Sequence, residues 1–169
     1  MKIGKLAFVA IVAVLMAGCA KKNGPADLPP APSDVAPESA PTSSSNGPVA
    51  GSQADFLANV TSDRVFFDTD KSDVRAEDQA ALRSQAQWLA RYPQKKIVIE
   101  GHCDERGTRE YNLALGERRA NAAKNYLAAL GVDPSRMSVF SYGKERPAAV
   151  GSDPEAWAQN RRAVTVTIE

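Results

Sequence analysis

Residues 99–120 read IEGHCDERGTREYNLALGERRA, and they join the end of an apolar strand to a helix through a polar loop. The stretch contains the chain's only histidine, His102, which is followed directly by Cys103 and Asp104. These three neighbours raise three possibilities: a metal site, a thiol catalyst, or side chains with separate roles. The strand and helix on either side give the first indication of the fold.

Strands and helices alternate on both sides of this stretch. The helices are predicted over 76–91, over 112–130 and from Asp153-Pro154 through Trp157. The predicted strands are RVFF at 64–67, KKIVIEGH at 95–102, RMSVFSY at 136–142 and AVTVTIE at 163–169, the last with strict alternation of valine and threonine. This β-α-β-α-β-α-β order predicts an α/β fold with helices packed on one sheet.

Residues 1–18 have the features of a signal peptide. Two lysines precede the apolar run LAFVAIVAVLMAG, which ends in small residues just before Cys19. The run is short for a membrane span, and a retained anchor helix is the alternative. The sequence LMAGC is similar to the lipobox of bacterial lipoproteins, in which the cysteine is diacylated. By resemblance to lipoprotein sorting rules, Ala20 implies the outer membrane of a Gram-negative cell.

Residues 19–51 are predicted to form a lipidated, disordered tether. The segment after Cys19 is rich in proline, serine and alanine, and it has too little apolar surface to offset its chain entropy. A tether of this length spans roughly 30 Å on average and about 100 Å when stretched. Residues 52–169 have the size of one domain.

The predicted domain is electrically neutral. Of the 21 basic and 20 acidic residues, four and three lie in the first 51 positions, which leaves seventeen of each in the domain. This balance argues against nucleic acid and anionic lipid surfaces as main partners.

Metal binding and thiol catalysis both fit the His-Cys-Asp cluster poorly. A zinc site needs three or four ligands, and neighbouring strand residues such as His102 and Cys103 point to opposite faces. If Cys19 carries lipid, Cys103 has no disulfide partner and is either buried and inert or a reactive thiol. We therefore expect no metal, no cofactor and no enzymatic activity. A cell-wall hydrolase that uses Asp68 and Asp70 is the enzymatic alternative.

Asp104 ends a strand and opens a glycine-containing loop, a position at which side chains often meet ligands. The helix after the loop has Asn112, Leu115 and Arg119 on one face. Asp104 and Arg119 form either a surface ion pair of little energetic value or a ligand site, and the residues alone favour neither.

Four segments resemble the OmpA-like domain family and, within it, the peptidoglycan-associated lipoproteins: FFDTDKSDVR, GHCDERGTREYNLALGERRANAAKNYL, SYGKERP and NRRAV. The resemblance covers residues 65–168 and implies the OmpA-like sandwich, with helices packed on a mixed four-stranded sheet. It also implies non-covalent binding of meso-diaminopimelate in the peptide stem of peptidoglycan, which ties the outer membrane to the cell wall.

The resemblance assigns roles by motif position. Asp104 accepts from the ammonium of the ligand, and Arg119 donates to its carboxylate. The remaining binding residues are Asp70 and Thr69 after the first strand, and Leu115 and Asn112 on the helix. His102 is expected at the rim or in a supporting position. Asn160, Arg161 and Arg162 match an element that we interpret as mainly structural.

The same resemblance implies partners and a location. The domain is expected to bind a periplasmic TolB-like β-propeller, and TolA of the Tol–Pal system during envelope constriction at cell division. Lipid on Cys19 is expected to sit in the inner leaflet of the outer membrane, so that the domain faces the periplasm.

Overall fold

The computed structural model describes residues 47–168. The predicted signal peptide, the predicted lipidation site Cys19 and the predicted tether up to residue 46 lie outside the described residues. Within residues 47–168, no helix has the length and apolar character needed to cross a membrane.

Helices and strands alternate through the described residues. They are α1 (Gln53–Asn59), β1 (Arg64–Phe66), α2 (Gln79–Arg91), β2 (Lys96–His102), α3 (Arg109–Ala129), β3 (Met137–Gly143), α4 (Pro154–Asn160) and β4 (Arg162–Ile168). Short 3-10 turns at Ala76–Asp78 and Pro134–Arg136 precede α2 and β3. The predicted β-α-β-α-β-α-β order is confirmed from β1 onward, and α1 is an additional helix that precedes it.

The four strands form one mixed sheet in the order β1-β4-β2-β3. β4 pairs antiparallel with both β1 and β2, whereas β2 and β3 are parallel and are joined through α3. Parallel neighbours need a crossover connection, and α3 supplies it. The register of β2 and β3 shifts between Gly101 and His102, where the strand leads into the loop that contains Asp104.

One face of the sheet is buried under α1, α2 and α3. The largest apolar side chains of this core are Phe56, Val65, Phe67, Leu82, Trp88, Leu89, Ile97, Ile99 and Leu127. On β4 the buried residues are Arg162, Ala163, Thr165 and Thr167, while the valines lie half-buried on the other face. The threonine hydroxyls donate to Gln85 Oε1 and Gln53 Oε1 at 2.8 and 2.9 Å, which satisfies them inside the core.

Helix α3 begins earlier than predicted, because Thr108 is its N-cap. The Thr108 hydroxyl accepts a hydrogen bond from the backbone N–H of Tyr111 at 3.2 Å. At the other end, α3 stops at Ala129, one residue before the predicted end, and Leu130 is 41% exposed. The buried face of α3 runs through Leu115, Gly116, Arg119, Ala120, Ala123 and Leu127.

Helix α3 approaches β2 closely where two glycines face each other. A Cβ on Gly101 would lie 1.8 Å from the carbonyl oxygen of Gly116, and a Cβ on Gly116 would lie 2.4 Å from Ser141 Oγ. Only glycine allows this backbone contact. The contact fixes the start of α3 against the carboxyl end of β2, and this is where the candidate site forms.

Candidate functional site

A cavity of about 340 Å³ lies between the loop after β1, the loop that joins β2 to α3, and the first turns of α3. Its lining residues are Thr69, Asp70, Cys103, Asp104, Arg106, Gly107, Tyr111, Asn112, Leu115 and Arg119. The six residues predicted as a binding site are all among them. The other four, Cys103, Arg106, Gly107 and Tyr111, were not predicted as binding residues.

Asp104 is a buried carboxylate that is held by two arginines. Its Oδ1 accepts from the backbone N–H and from Nε of Arg106, both at 3.1 Å. Its Oδ2 accepts from Arg106 Nη2 at 2.7 Å and from Arg161 Nη1 at 3.4 Å. Burial acts to raise the pKa of Asp104, but the hydrogen bonds and charge of Arg106 outweigh it and lower the pKa. Asp104 is therefore an anion at neutral pH.

Arg119 is fully buried and donates to three backbone carbonyls. Its Nε bonds to Lys71 O at 2.9 Å, its Nη1 to His102 O at 2.9 Å and its Nη2 to Asp68 O at 3.0 Å. Burial lowers the pKa of this guanidinium, but arginine stays protonated in proteins. A guanidinium has five N–H groups, so two remain beyond these three bonds, and Arg119 lines the cavity.

Asp104 and Arg119 do not pair with each other. The ion pairs of Asp104 within residues 47–168 are those with Arg106 and Arg161. The partners of Arg119 are carbonyl oxygens, and its side chain is 0% exposed. The alternative of a surface ion pair between Asp104 and Arg119 is therefore wrong.

The loop after β1 forms one wall of the cavity. Asp70 has a φ of 56°, a left-handed conformation that aspartate tolerates better than most residues. The Tyr111 hydroxyl donates to Asp70 Oδ1 at 3.3 Å, and Arg106 Nη2 donates to Thr69 Oγ1 at 3.4 Å. These contacts join the loop to the other two walls of the cavity.

Asn112 holds the loop between β2 and α3 in shape. Its buried side-chain amide donates to Arg106 O at 2.6 Å and to Thr108 O at 3.1 Å. On the outer side of the loop, Lys144 Nζ donates to Glu105 O at 3.0 Å and to Gly107 O at 2.7 Å. The backbone of the loop is thus fixed without help from the side chain of Arg106.

Cys103 and His102 have separate environments. Burial raises the pKa of the Cys103 thiol, whose Sγ bonds to Asn112 O at 3.3 Å. His102 is 1% exposed and stacks on Tyr142, with ring centroids 5.4 Å apart. It does not line the cavity, but its backbone carbonyl accepts from Arg119 Nη1, so of the two predicted positions the structure shows the supporting one and not the rim. Of the two possibilities for Cys103, a buried thiol or a reactive one, the structure shows the buried thiol.

The Asn160-Arg161-Arg162 element is structural, as predicted. Asn160 bonds to the backbone of Ala148 and Ala149, and Arg161 Nε donates to Phe67 O at 2.9 Å. Arg161 also reaches Asp104, which the sequence analysis did not predict. Within residues 47–168, no group of three or more His, Cys, Asp or Glu side chains is arranged to hold a metal ion.

The contact between Arg106 and Asp104 has a signal in the sequence. Aspartate side chains commonly accept from the backbone N–H two residues later, which is what Asp104 does with Arg106. That turn places the side chain of Arg106 next to the carboxylate.

The known proteins that resemble this chain agree with the fold. The OmpA family model matches residues 66–161. The peptidoglycan-associated lipoprotein of Agrobacterium fabrum is 52% identical over 155 residues, which span 92% of this chain and 82% of that protein. For the peptidoglycan-associated lipoprotein of Pseudomonas aeruginosa, the identity is 44% over 162 residues, or 96% of this chain and 95% of that protein.

A solved structure gives the same result. The crystal structure of the peptidoglycan-associated lipoprotein from Burkholderia pseudomallei matches with a TM-score of 0.62 at 48% identity, over 67% of this chain and 93% of that chain. The fold and the polar cavity define an OmpA-like domain. The chain belongs to the OmpA family and, within it, to the peptidoglycan-associated lipoproteins.

Proposed function

We propose that the cavity binds the peptide stem of peptidoglycan through the zwitterionic end of its meso-diaminopimelate residue. One observation carries this proposal: a buried carboxylate, Asp104, and a buried guanidinium, Arg119, line the same cavity without pairing with each other. The free end of diaminopimelate has an ammonium and a carboxylate on one carbon. Such a ligand offers each of the two groups a partner of opposite charge, and the names of the relatives, peptidoglycan-associated lipoproteins, are consistent with it.

Each of the six predicted binding residues has a role in this proposal. Asp104 accepts from the ammonium, and the remaining N–H groups of Arg119 donate to the carboxylate. Leu115 contacts the methylene chain between the two ends of the ligand. Thr69 and Asp70 contribute from the loop after β1. Asn112 keeps the loop between β2 and α3 in its binding shape. No covalent step takes place, so the domain is a binding module and not an enzyme.

The proposal extends to the whole chain. Residues 1–18 are a signal peptide, and lipid on Cys19 anchors the chain in the inner leaflet of the outer membrane. Residues 19–51 are the tether, and residues 52–169 form the wall-binding domain in the periplasm. The chain then links the outer membrane to the cell wall.

A TolB-like β-propeller and TolA are the proposed protein partners, within the Tol–Pal system that acts at cell division. The basis for these partners is that the chain belongs to the peptidoglycan-associated lipoproteins. Co-elution of the purified chain with each of these proteins on a sizing column tests the partners one at a time.

Sedimentation with purified peptidoglycan sacculi tests wall binding. Asp104→Asn keeps the shape of the side chain and removes its charge, so one charge-assisted contact is lost. Such a contact is worth roughly 1.5–3 kcal/mol, and affinity should fall on the order of 10- to 150-fold. The matched control is Asp73→Asn, the same chemical change at an exposed aspartate that does not line the cavity.

The result separates three classes of protein. A binder sediments with intact sacculi and loses affinity only in Asp104→Asn. A hydrolase releases soluble fragments, and a protein that binds other proteins alone stays in the supernatant. Either of the last two results contradicts the proposal.

The role of Arg119 is tested on the ligand, because its side chain is also part of the fold. Amidating the diaminopimelate carboxylate removes the group that Arg119 is proposed to bind, and calorimetry with muropeptides should show a loss on the order of 10- to 150-fold. Equal affinity for the amidated and free forms would show that the cavity does not bind this carboxylate.

A further inference from the structure

All hydrogen-bonding positions of the Asp104 carboxylate are already in use. Oδ1 accepts from the backbone N–H and Nε of Arg106, and Oδ2 accepts from Arg106 Nη2 and Arg161 Nη1. An ionised carboxylate has about four lone-pair positions. An ammonium that enters the cavity can therefore bond to Asp104 only when one of the present donors leaves.

The side chain of Arg106 is the donor that is free to leave. It lines the cavity and is 42% exposed. Arg161 does not line the cavity, is 14% exposed, and is anchored by the bond from its Nε to Phe67 O. The backbone N–H of Arg106 cannot leave, because Asn112 and Lys144 hold the loop. A cation in the cavity thus competes with the Arg106 guanidinium alone.

Arg106 also bridges two walls of the cavity. Its Nη2 reaches Thr69 Oγ1 at 3.4 Å, and its guanidinium lies over the ring of Trp157, 4.2 Å from the centroid. The guanidinium therefore lies where a ligand cation would bond to Asp104, and it joins the loops on either side.

We propose that Arg106 is a gate residue: its guanidinium occupies the ammonium position on Asp104 in the free domain and is displaced when the ligand binds. This inference rests on the proposed function of the cavity. It also gives Arg106 a part in specificity. Leaving the buried Asp104 carboxylate short of a counter-charge is costly, so a group that replaces Arg106 has to be a cation. The ammonium of diaminopimelate satisfies this condition, and its N-acetylated form does not.

Calorimetry with a muropeptide that carries free meso-diaminopimelate tests the gate in the full chain. In Arg106→Ala the ammonium no longer has a competitor, so affinity should rise on the order of 2- to 5-fold, the value of a partly exposed ion pair. In an Asp104→Asn background, the same Arg106→Ala change should have little effect, because the contact between the two residues is already weakened.

The matched control is Arg109→Ala. Arg109 is 63% exposed, pairs with Glu145 at 3.2 Å and does not line the cavity. The variant removes one positive charge from the same region, and its affinity should equal that of the wild type. An equal gain in Arg109→Ala, or a gain from Arg106→Ala that persists fully with Asp104→Asn, would assign the effect to net charge and overturn the gate.

A measurement on the wild-type chain does not depend on the folding of any variant. The indole N–H of Trp157 gives its own NMR signal and bonds to Glu105 Oε1 at 3.1 Å. Because the guanidinium of Arg106 lies over this ring, the signal should shift when the muropeptide saturates the site, and an unmoved signal contradicts displacement.

Unchanged or weaker binding in Arg106→Ala also overturns the gate. If the wild type fails to bind the muropeptide at all, the proposed function has failed, and this result is distinct from a wild type that binds and an Arg106→Ala variant that gains nothing.

Discussion

Arg119 combines a structural role with the proposed binding role. Its three carbonyl partners belong to the loop after β1 and to the end of β2, so one side chain joins segments that are far apart in sequence. This arrangement explains why the sequence alone did not distinguish a ligand site from an ion pair. A buried arginine that bonds to backbone carbonyls has no local sequence signature.

Arg119→Ala should destabilise the fold. The change leaves three carbonyl groups without their donor, and each such loss costs roughly 1–3 kcal/mol. We expect the free energy of unfolding, measured by urea denaturation, to fall by about 3 kcal/mol or more. The control is Arg118→Ala at the neighbouring exposed position, where the change should be within about 0.5 kcal/mol. Equal stability of the two variants would show that the carbonyl contacts contribute little.

Cys103 should behave as an inert thiol in the folded domain. It is 3% exposed, and burial raises its pKa, so little of the reactive thiolate forms at neutral pH. In a Cys19→Ser background, where Cys103 is the remaining thiol, a thiol reagent should react only after urea is added. Cys103→Ala should keep wall binding within about 2-fold, since the lost bond to Asn112 O is a weak one. Fast labelling of the folded chain would contradict burial.

His102 should make stability depend on pH. Burial lowers the pKa of His102 to about 4, and the positive charge of Arg162 is the second cause. Glu100 Oε2 lies 3.7 Å from His102 Nε2, which is too far for a hydrogen bond that would raise the pKa again. In the unfolded chain the imidazole takes up its proton near pH 6.5. The unfolded state therefore binds more protons between about pH 6.5 and 4, and stability is lost as the pH falls through this range.

Urea denaturation at two pH values measures this effect. The free energy of unfolding should be about 2 kcal/mol lower at pH 5 than at pH 7. His102→Gln, which has no proton to gain, should remove most of this difference. If His102→Gln keeps the full pH dependence, other groups are responsible for it.

At the scale of elements, the sequence predicted every strand and three of the four helices. Their boundaries follow from local patterns: the apolar spacing of α2, the proline at Pro154 and the alternation on β4. Helix α1 was missed because it is short and has one large buried residue, Phe56. The signal that was present is Ser52, whose hydroxyl accepts from the N–H of Asp55 three residues later.

The alternation of valine and threonine on β4 did not predict which face of the strand is buried. The threonines point into the core, because Gln85 and Gln53 from the helices satisfy their hydroxyls. Such a choice depends on partners in distant segments. The six predicted binding residues came from motif resemblance. Arg106 reaches Asp104 through a local turn, whereas Arg161 reaches it through the tertiary fold.

The contact between β2 and α3 gives a prediction for an element pair. Gly116→Ala improves helix propensity by about 1 kcal/mol but places a Cβ 2.4 Å from Ser141 Oγ. We expect a net loss of about 1–3 kcal/mol in the free energy of unfolding, and a larger loss for Gly101→Ala, whose Cβ meets backbone atoms.

Two further variants control this experiment. Gly47→Ala meets no atom within 4 Å and should leave stability unchanged. Adding Ser141→Ala to Gly116→Ala removes the nearest clashing atom and should recover part of the loss. A stabilised Gly116→Ala variant would show that the sheet and helix can separate at little cost.

At the scale of the whole molecule, the α/β class followed from the alternation of elements, while the strand order β1-β4-β2-β3 did not. Pairing of β4 with β1 joins residues about 100 positions apart, as in the register of Arg64 with Val164, and pairing of β4 with β2 joins residues about 60 to 70 positions apart. No local pattern specifies such a partner. The family resemblance implied a mixed four-stranded sheet, but neither it nor the periodicity predicted the order of the strands.

The proposed link between membrane and wall has two ends that can be removed separately. Cys19→Ser takes away the proposed lipidation site, so the chain should lose palmitate labelling and disappear from the outer-membrane fraction of a density gradient. Its folded domain is untouched, and it should still sediment with sacculi as the wild type does. Asp104→Asn should give the reverse result, with outer-membrane attachment kept and sacculus binding reduced. A Cys19→Ser chain that is still acylated and still in the outer membrane would place the anchor elsewhere. If Cys19→Ser instead abolished sacculus binding by the purified chain, the two ends would not be independent.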